Sequence, residues 1–292
     1  MTPAETTIPF TPRTLGNNLD LAMLLLRSGM RGYLAAWFWC FAPTAALIGA
    51  THRLHIWTLP EAGVLFFLAA GVLGTLVAAL TGALVFGAPP TLSQAYGLLG
   101  PRSWWYLTQR CVRSLLQLLG FLVLFFPGLI LAYHWPFRTE ARVLHNIQPF
   151  LHRPRDTQLL DKDPSRLSGT WTTLLGQGLL LWGGLLLTVD FAATWLLGTP
   201  VLMGRLGLNP TYADDQQAIF RATVQFLWSD PLVLMAEMAV ALFVFMYLRI
   251  AWFLTYIDLR IREDCWDVEL KLTQETEQLR PRGEGRSDAS AA

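Results

Sequence analysis

Four stretches of this chain, 33–51, 62–87, 171–197 and 231–257, are each long and oily enough to cross a bilayer. A hydrocarbon core about 30 Å thick takes roughly 20 apolar residues of helix. Lipid offers no partner to a backbone N–H or C=O, so each stretch must bond within itself. The expected fold class is therefore all-α, a polytopic transmembrane bundle. A fifth stretch, 110–133, joins the set if Arg110 and Arg113 extend their heads to the membrane surface. Only 15% of the residues are charged, against about a quarter in soluble domains.

Basic residues test the count. With five crossings and the N-terminus inside, Arg138, Arg142, Arg153, Arg155, Lys162, Arg166 and the whole basic tail would lie outside. That contradicts the positive-inside bias. One further crossing between 128 and 147 leaves 16 Lys/Arg inside and 3 outside (Arg53, Arg205 and Arg221). The expectation is six spans, with both termini on the cytoplasmic face of a bacterial inner membrane. Pro127-Gly128 marks the break before the extra crossing. Pro136, Arg138, Glu140 and Arg142 interrupt it. Residues 121–146 thus read as a helical hairpin whose polar return arm needs cover from other helices.

Residues 13–30 show a different pattern. Leu15, Leu19, Ala22, Met23, Leu26 and Met30 recur at helical spacing, while Arg13, Asn17, Asp20 and Arg27 fall elsewhere. This predicts an amphipathic helix lying on the inner leaflet. Ile219 to Leu227 suggests another on the outer side. Residues 1–272 read as one membrane domain, and 273–292 as a disordered polar tail with almost nothing to bury. The first 32 residues lack a signal peptide's short apolar core and cleavage site, so the first oily run is expected to persist as a span.

The last oily run passes without a break into YIDLRIREDCWDVELKL at 256–272. Asp258–Arg262, Arg260–Asp264 and Asp267–Lys271 are i,i+4 pairs of opposite sign, each worth about 0.2–0.5 kcal/mol. The same helix is expected to continue into the cytoplasm and to offer Asp258, Arg260, Arg262, Glu263 and Trp266 for docking, first against the N-terminal helix.

Three features together resemble a family. They are LGNNLDLAMLLLR near the N-terminus, PGLILAYHW followed by a polar helix, and the span ending YIDLRIREDCWDVEL. The chain resembles, over roughly 13–272, the bacterial six-span proteins grouped with the membrane domain of glycerophosphoryl diester phosphodiesterases. The segment 145–170 keeps only a looser form of that family's basic helix, at Arg155–Leu159 and Ser165–Leu167. The resemblance implies a stand-alone accessory protein, with an envelope protein of transglutaminase-like type as partner and no phosphodiesterase barrel.

Ionisable residues inside spans are costly and mark candidate sites. Asp190 and Glu237 fall at similar depth in the outer third and could hold a cation or relay a proton; the plainer reading is that each bonds a neighbouring helix. His134, Arg138, Glu140 and Arg142, with Arg110, Arg113, Arg249 and His145 near, could bind a lipid phosphate bidentately, an anionic lipid being the implied ligand. Alternatively they form an ion-pair network that lets the return arm cross. His52 and His55 form a weak metal pair with no third ligand. The small residues Ala70, Gly74, Ala78 and Gly82 permit close helix approach, within the bundle or in a dimer.

The remaining composition narrows function further. A net charge of +1 gives no field to draw nucleic acid. The three cysteines are scattered, and no nucleotide-binding or hydrolase motif appears. The expectation is a non-catalytic membrane protein without cofactor, an accessory or scaffold in an envelope complex. The alternative is a carrier for a small solute or lipid.

Overall fold

The structure is a computed structural model that describes residues 13–52, 54, 59–100, 103–124, 138–147, 164–198 and 230–264. Among the described residues there are helices and short connections and no strand. The helices are α1 (Leu15–Ser28), α2 (Met30–Thr51), α3 (Leu59–Val85), α4 (Leu92–Leu98), α5 (Ser103–Leu124), α6 (Arg138–Ile147), α7 (Pro164–Leu197) and α8 (Pro231–Asp264).

Four of them are long and apolar enough to span a membrane, within α2, α3, α7 and α8. They coincide with the four plainly oily stretches. At about 1.5 Å per residue, the 34 residues of α8 rise roughly 51 Å, well beyond a bilayer core of about 30 Å. The surplus falls at its charged C-terminal end. Many large apolar side chains lie exposed on the outside of the bundle. Leu180 is 79% exposed, Phe191 75% and Trp195 81% on α7, and Phe38 is 62% exposed on α2. So much open hydrocarbon is untenable in water. The protein is embedded in a membrane.

The core lies between α3 and α8. The apolar window of α3 is 61% buried and that of α7 only 6%. Helices α2, α4, α5, α6 and α8 all pack on α3, and α1, α2 and α7 pack on α8. Leu73, Leu76, Val77 and Leu80 of α3 meet Leu242, Met246, Ile250 and Phe253 of α8 in one apolar cluster. Buried hydroxyls bond back within their own helices: Thr44 to the Cys40 carbonyl, Thr75 to Gly71 and Thr255 to Ala251. None of these three hydroxyls is therefore left unsatisfied away from water. Two bonds tie α2 to its neighbours: the Trp37 indole donates to the Ala239 carbonyl of α8 at 3.0 Å, and the Tyr33 hydroxyl pairs with Thr81 of α3 at 3.0 Å.

Glycine punctuates the helices. Gly87 and Gly198 take left-handed φ angles of 73° and 72° just after α3 and α7. The Ala88 N–H reaches back to the Ala83 carbonyl, which closes the end of α3 in the usual glycine-terminated manner. Small residues on α3 act inside the bundle. A side chain at Gly71 would strike Ser114 of α5, and one at Gly74 would lie 3.2 Å from the Phe245 ring.

Three details differ from the sequence-based expectation. α1 buries Asn18, Ala22, Leu25 and Leu26, while Met23 and Met30, placed on its apolar stripe, are exposed. The buried face is rotated because α8 takes one side of α1 and leaves the methionines outward. Trp252 stands near the end of the last oily run, where tryptophans commonly anchor a span at the interface, yet it is buried in the core. α4, a short helix after the α3 turn, was not foreseen. The outer stretch 219–227, the tail from 273 and the first part of the return arm lie outside the described residues.

Candidate functional site

α1 begins at Thr14, whose hydroxyl accepts the Asn17 N–H and so satisfies one free donor of the first turn. The residue before the cap ties this end to α8. The Arg13 N–H donates to Asp258 Oδ1 at 2.7 Å, and Arg262 Nη2 donates to the Arg13 carbonyl at 2.7 Å. Arg262 Nε bonds the same carboxylate, at 3.0 Å to Oδ2. Asp258 thus gathers a main-chain donor and a guanidinium in charge-assisted bonds. Burial pushes the Arg13 guanidinium pKa down, and Asp258 opposes that shift. One end of the clamp is completed by the Tyr247 hydroxyl, which donates to the Leu19 carbonyl at 3.2 Å.

Of the proposed docking residues, Asp258 and Arg260 are therefore buried within the bundle. Arg262 sits at its surface in the pair with Asp258. The Glu263 side chain and Trp266 lie outside the described residues.

A second polar group lies deeper. α6 buries Thr139, Glu140, Ala141, Val143 and Leu144 against the rest of the bundle. It packs mainly on α3. Glu140 sits in its first turn, where a negative charge suits the helix dipole. The carboxylate pairs with Arg249 of α8, Nη2 to Oε1 at 2.5 Å. Glu140 is fully buried and Arg249 is 9% exposed. Arg249 Nε also donates to the Gly74 carbonyl of α3 at 3.3 Å. A Cβ at Gly74 would meet Arg249 Nε at an ordinary contact distance of 3.5 Å and would press instead on the Phe245 ring. Nearby, the Tyr106 hydroxyl of α5 donates to Thr139 Oγ1 at 3.1 Å.

This arrangement brings Glu140 together with Arg249 and, within electrostatic range, Arg110. His134 lies outside the described residues, as do the side chains of Arg138, Arg142 and His145. Sequence reading missed the bonds of Arg249 to Gly74 and of Tyr106 to Thr139. The small-residue stripe through Gly74 was the one signal that a neighbour approaches there.

Asp190 of α7 and Glu237 of α8 are both buried, 5% and 6% exposed. Glu237 Oε1 has no hydrogen-bond donor among the described residues. Its helical neighbours Leu234 and Met238 pack with Ile48 and Ala62 in a small apolar cluster. His52 ends α2 in an exposed position, and His55 lies outside the described residues. Among the described residues no three metal-binding side chains come together.

No family model, curated protein or solved structure matches this chain.

Proposed function

We propose that this chain is a non-catalytic integral membrane protein, an accessory or scaffold component of an envelope-associated complex. In this reading it has six spans, with both termini on the cytoplasmic face of a bacterial inner membrane. The observation that carries it is the clamp between α1 and the charged end of α8. Asp258 and Arg262 lock the chain before α1 to the last span, so that the helix leaves the bilayer in a fixed direction. A partner approaching the charged end of α8 would meet a helix held in place at Asp258 and Arg262. The ratio of 16 inner to 3 outer basic residues supports the orientation. The likeness to the six-span family, carried by YIDLRIREDCWDVEL, supports a partner of transglutaminase-like type.

The test keeps the clamp intact. A tag after Ala292 is reachable in inverted vesicles and closed to reagents in intact cells, and it co-purifies the partner from native membranes. Deleting 265–272 loses the partner while the melting temperature holds. An unchanged pull-down, or a tag reachable from outside, would end the scaffold reading.

A carrier for a small solute or lipid is the second reading, favoured by one observation: the Glu237 carboxyl lies within an apolar helix long enough to span, with Oε1 undonated among the described residues. Such groups are expensive to keep in a membrane and tend to mark an ion or proton path. Liposomes holding a pH-sensitive dye should then show a proton flux after a pH step that Glu237→Gln abolishes. Equal flux in the two proteins removes the carrier.

A further inference from the structure

Among the described residues the charges around α6 do not balance. Glu140 and Arg249 pair and cancel. Arg110 on α5 interacts with both of them, and with Arg113 one turn further along its own helix. Attraction to Glu140 is thus opposed by two like charges. The Nε of Arg110 is enclosed and has no acceptor among the described residues. Glu140 Oε2, the other oxygen of the shared carboxylate, is likewise undonated. A buried lysine or carboxyl can escape such a cost by losing its charge, but a guanidinium cannot be deprotonated in a protein. The Arg110 guanidinium, in excess of the Glu140–Arg249 pair among the described residues, calls for an anion.

We infer that Arg110, backed by the Arg249 that Glu140 holds in place, binds a phosphate group. The group belongs either to a phospholipid headgroup or to a free phosphate. The planar fork of arginine donors matches phosphate oxygens two at a time. Depth agrees with this chemistry. Trp104 and Trp105 at the start of α5 are 74% and 69% exposed, as tryptophans at headgroup level are. Arg110 follows Trp105 by five residues, about 8 Å of helix, within reach of an arginine extended toward the interface. Glu140 is the positioning residue. It orients Arg249 through the ion pair, while the Gly74 carbonyl fixes the Nε edge. The inference rests on neither functional reading, because a scaffold would keep the phosphate as a structural lipid and a carrier would keep it as cargo.

The experiment uses the full chain, delipidated in mild detergent. It is titrated separately with inorganic phosphate and with a short-chain phosphatidylglycerol, and bound phosphorus and melting temperature are followed. Wild type should bind at least one probe and melt higher with it. Binding of phosphatidylglycerol alone assigns a headgroup, and binding of inorganic phosphate alone assigns a free anion. Arg110→Gln should weaken binding about tenfold or more, the loss expected from a charge-assisted pair worth at least about 1.4 kcal/mol. It leaves the Glu140–Arg249 pair untouched, so the fold should persist. The exposed Arg27→Gln should bind as wild type. Should Arg110→Gln fail to fold, Arg110→Lys decides: it keeps the charge and loses the fork, and must bind more weakly. A wild-type protein that binds neither probe overturns the inference, as does a folded Arg110 variant that binds as wild type.

Discussion

Arg249→Met should lower the stability of the folded protein by about 3–5 kcal/mol, the usual cost of removing one partner from a buried ion pair. Glu140 is fully buried, and among the described residues its one close cationic partner is this arginine. Without it, a carboxylate is left in the bundle with Oε2 already undonated among the described residues. The loss is therefore larger than the attraction of the pair itself, because it includes stranding a charge away from water. The double variant Glu140→Leu with Arg249→Met should recover most of it, since both charges and their desolvation disappear together. Thermal melting in detergent on the four proteins of the cycle yields the coupling energy. An Arg249→Met protein that melts at the wild-type temperature would show that no charge had been stranded at Glu140.

Gly32→Ala is the second substitution with a large expected effect. Gly32 lies in the first turn of α2, against the turn that leads into α4. A Cβ at this position would overlap the Pro90 carbonyl. That oxygen belongs to backbone, so no rotamer change relieves the clash and the turn or the helix must move. Forcing extra atoms into a closed contact costs about 1–3 kcal/mol. Gly49, in the same helix, has open space where its Cβ would stand. Alanine there should be neutral, or should gain up to about 1 kcal/mol from helix propensity. Comparable melting of the two variants would mean that the turn at 89–91 does not press on α2.

The membrane class and the positions of four spans were legible in the sequence because bilayer thickness imposes a local, one-dimensional rule. Any run of about 20 apolar residues must be a self-bonded helix, whatever surrounds it. The amphipathic helix before the first span was legible for a similar reason, since its period of 3.6 is written in consecutive residues. Its boundary at Gly29 and its cap at Thr14 follow residue types that act within one turn.

Which side of each helix turns inward was not legible. Leu25 is buried and Met23 exposed because of where α8 lies, and both are equally apolar in the sequence. Trp252 looked like an anchor by position and is enclosed because α8 sits at the centre of the bundle. The candidate site divides the same way. The density of arginine around Glu140 could be read from composition alone. Only packing chose Arg249 as its partner and Arg110 as the charge left over, because a salt bridge between distant segments depends on helix rotation, and no sequence periodicity records that angle. The sequence by itself thus determined that this chain lives in lipid and where it crosses. Tertiary structure decided which charges meet there, since desolvation makes their energy depend on neighbours that only folding supplies.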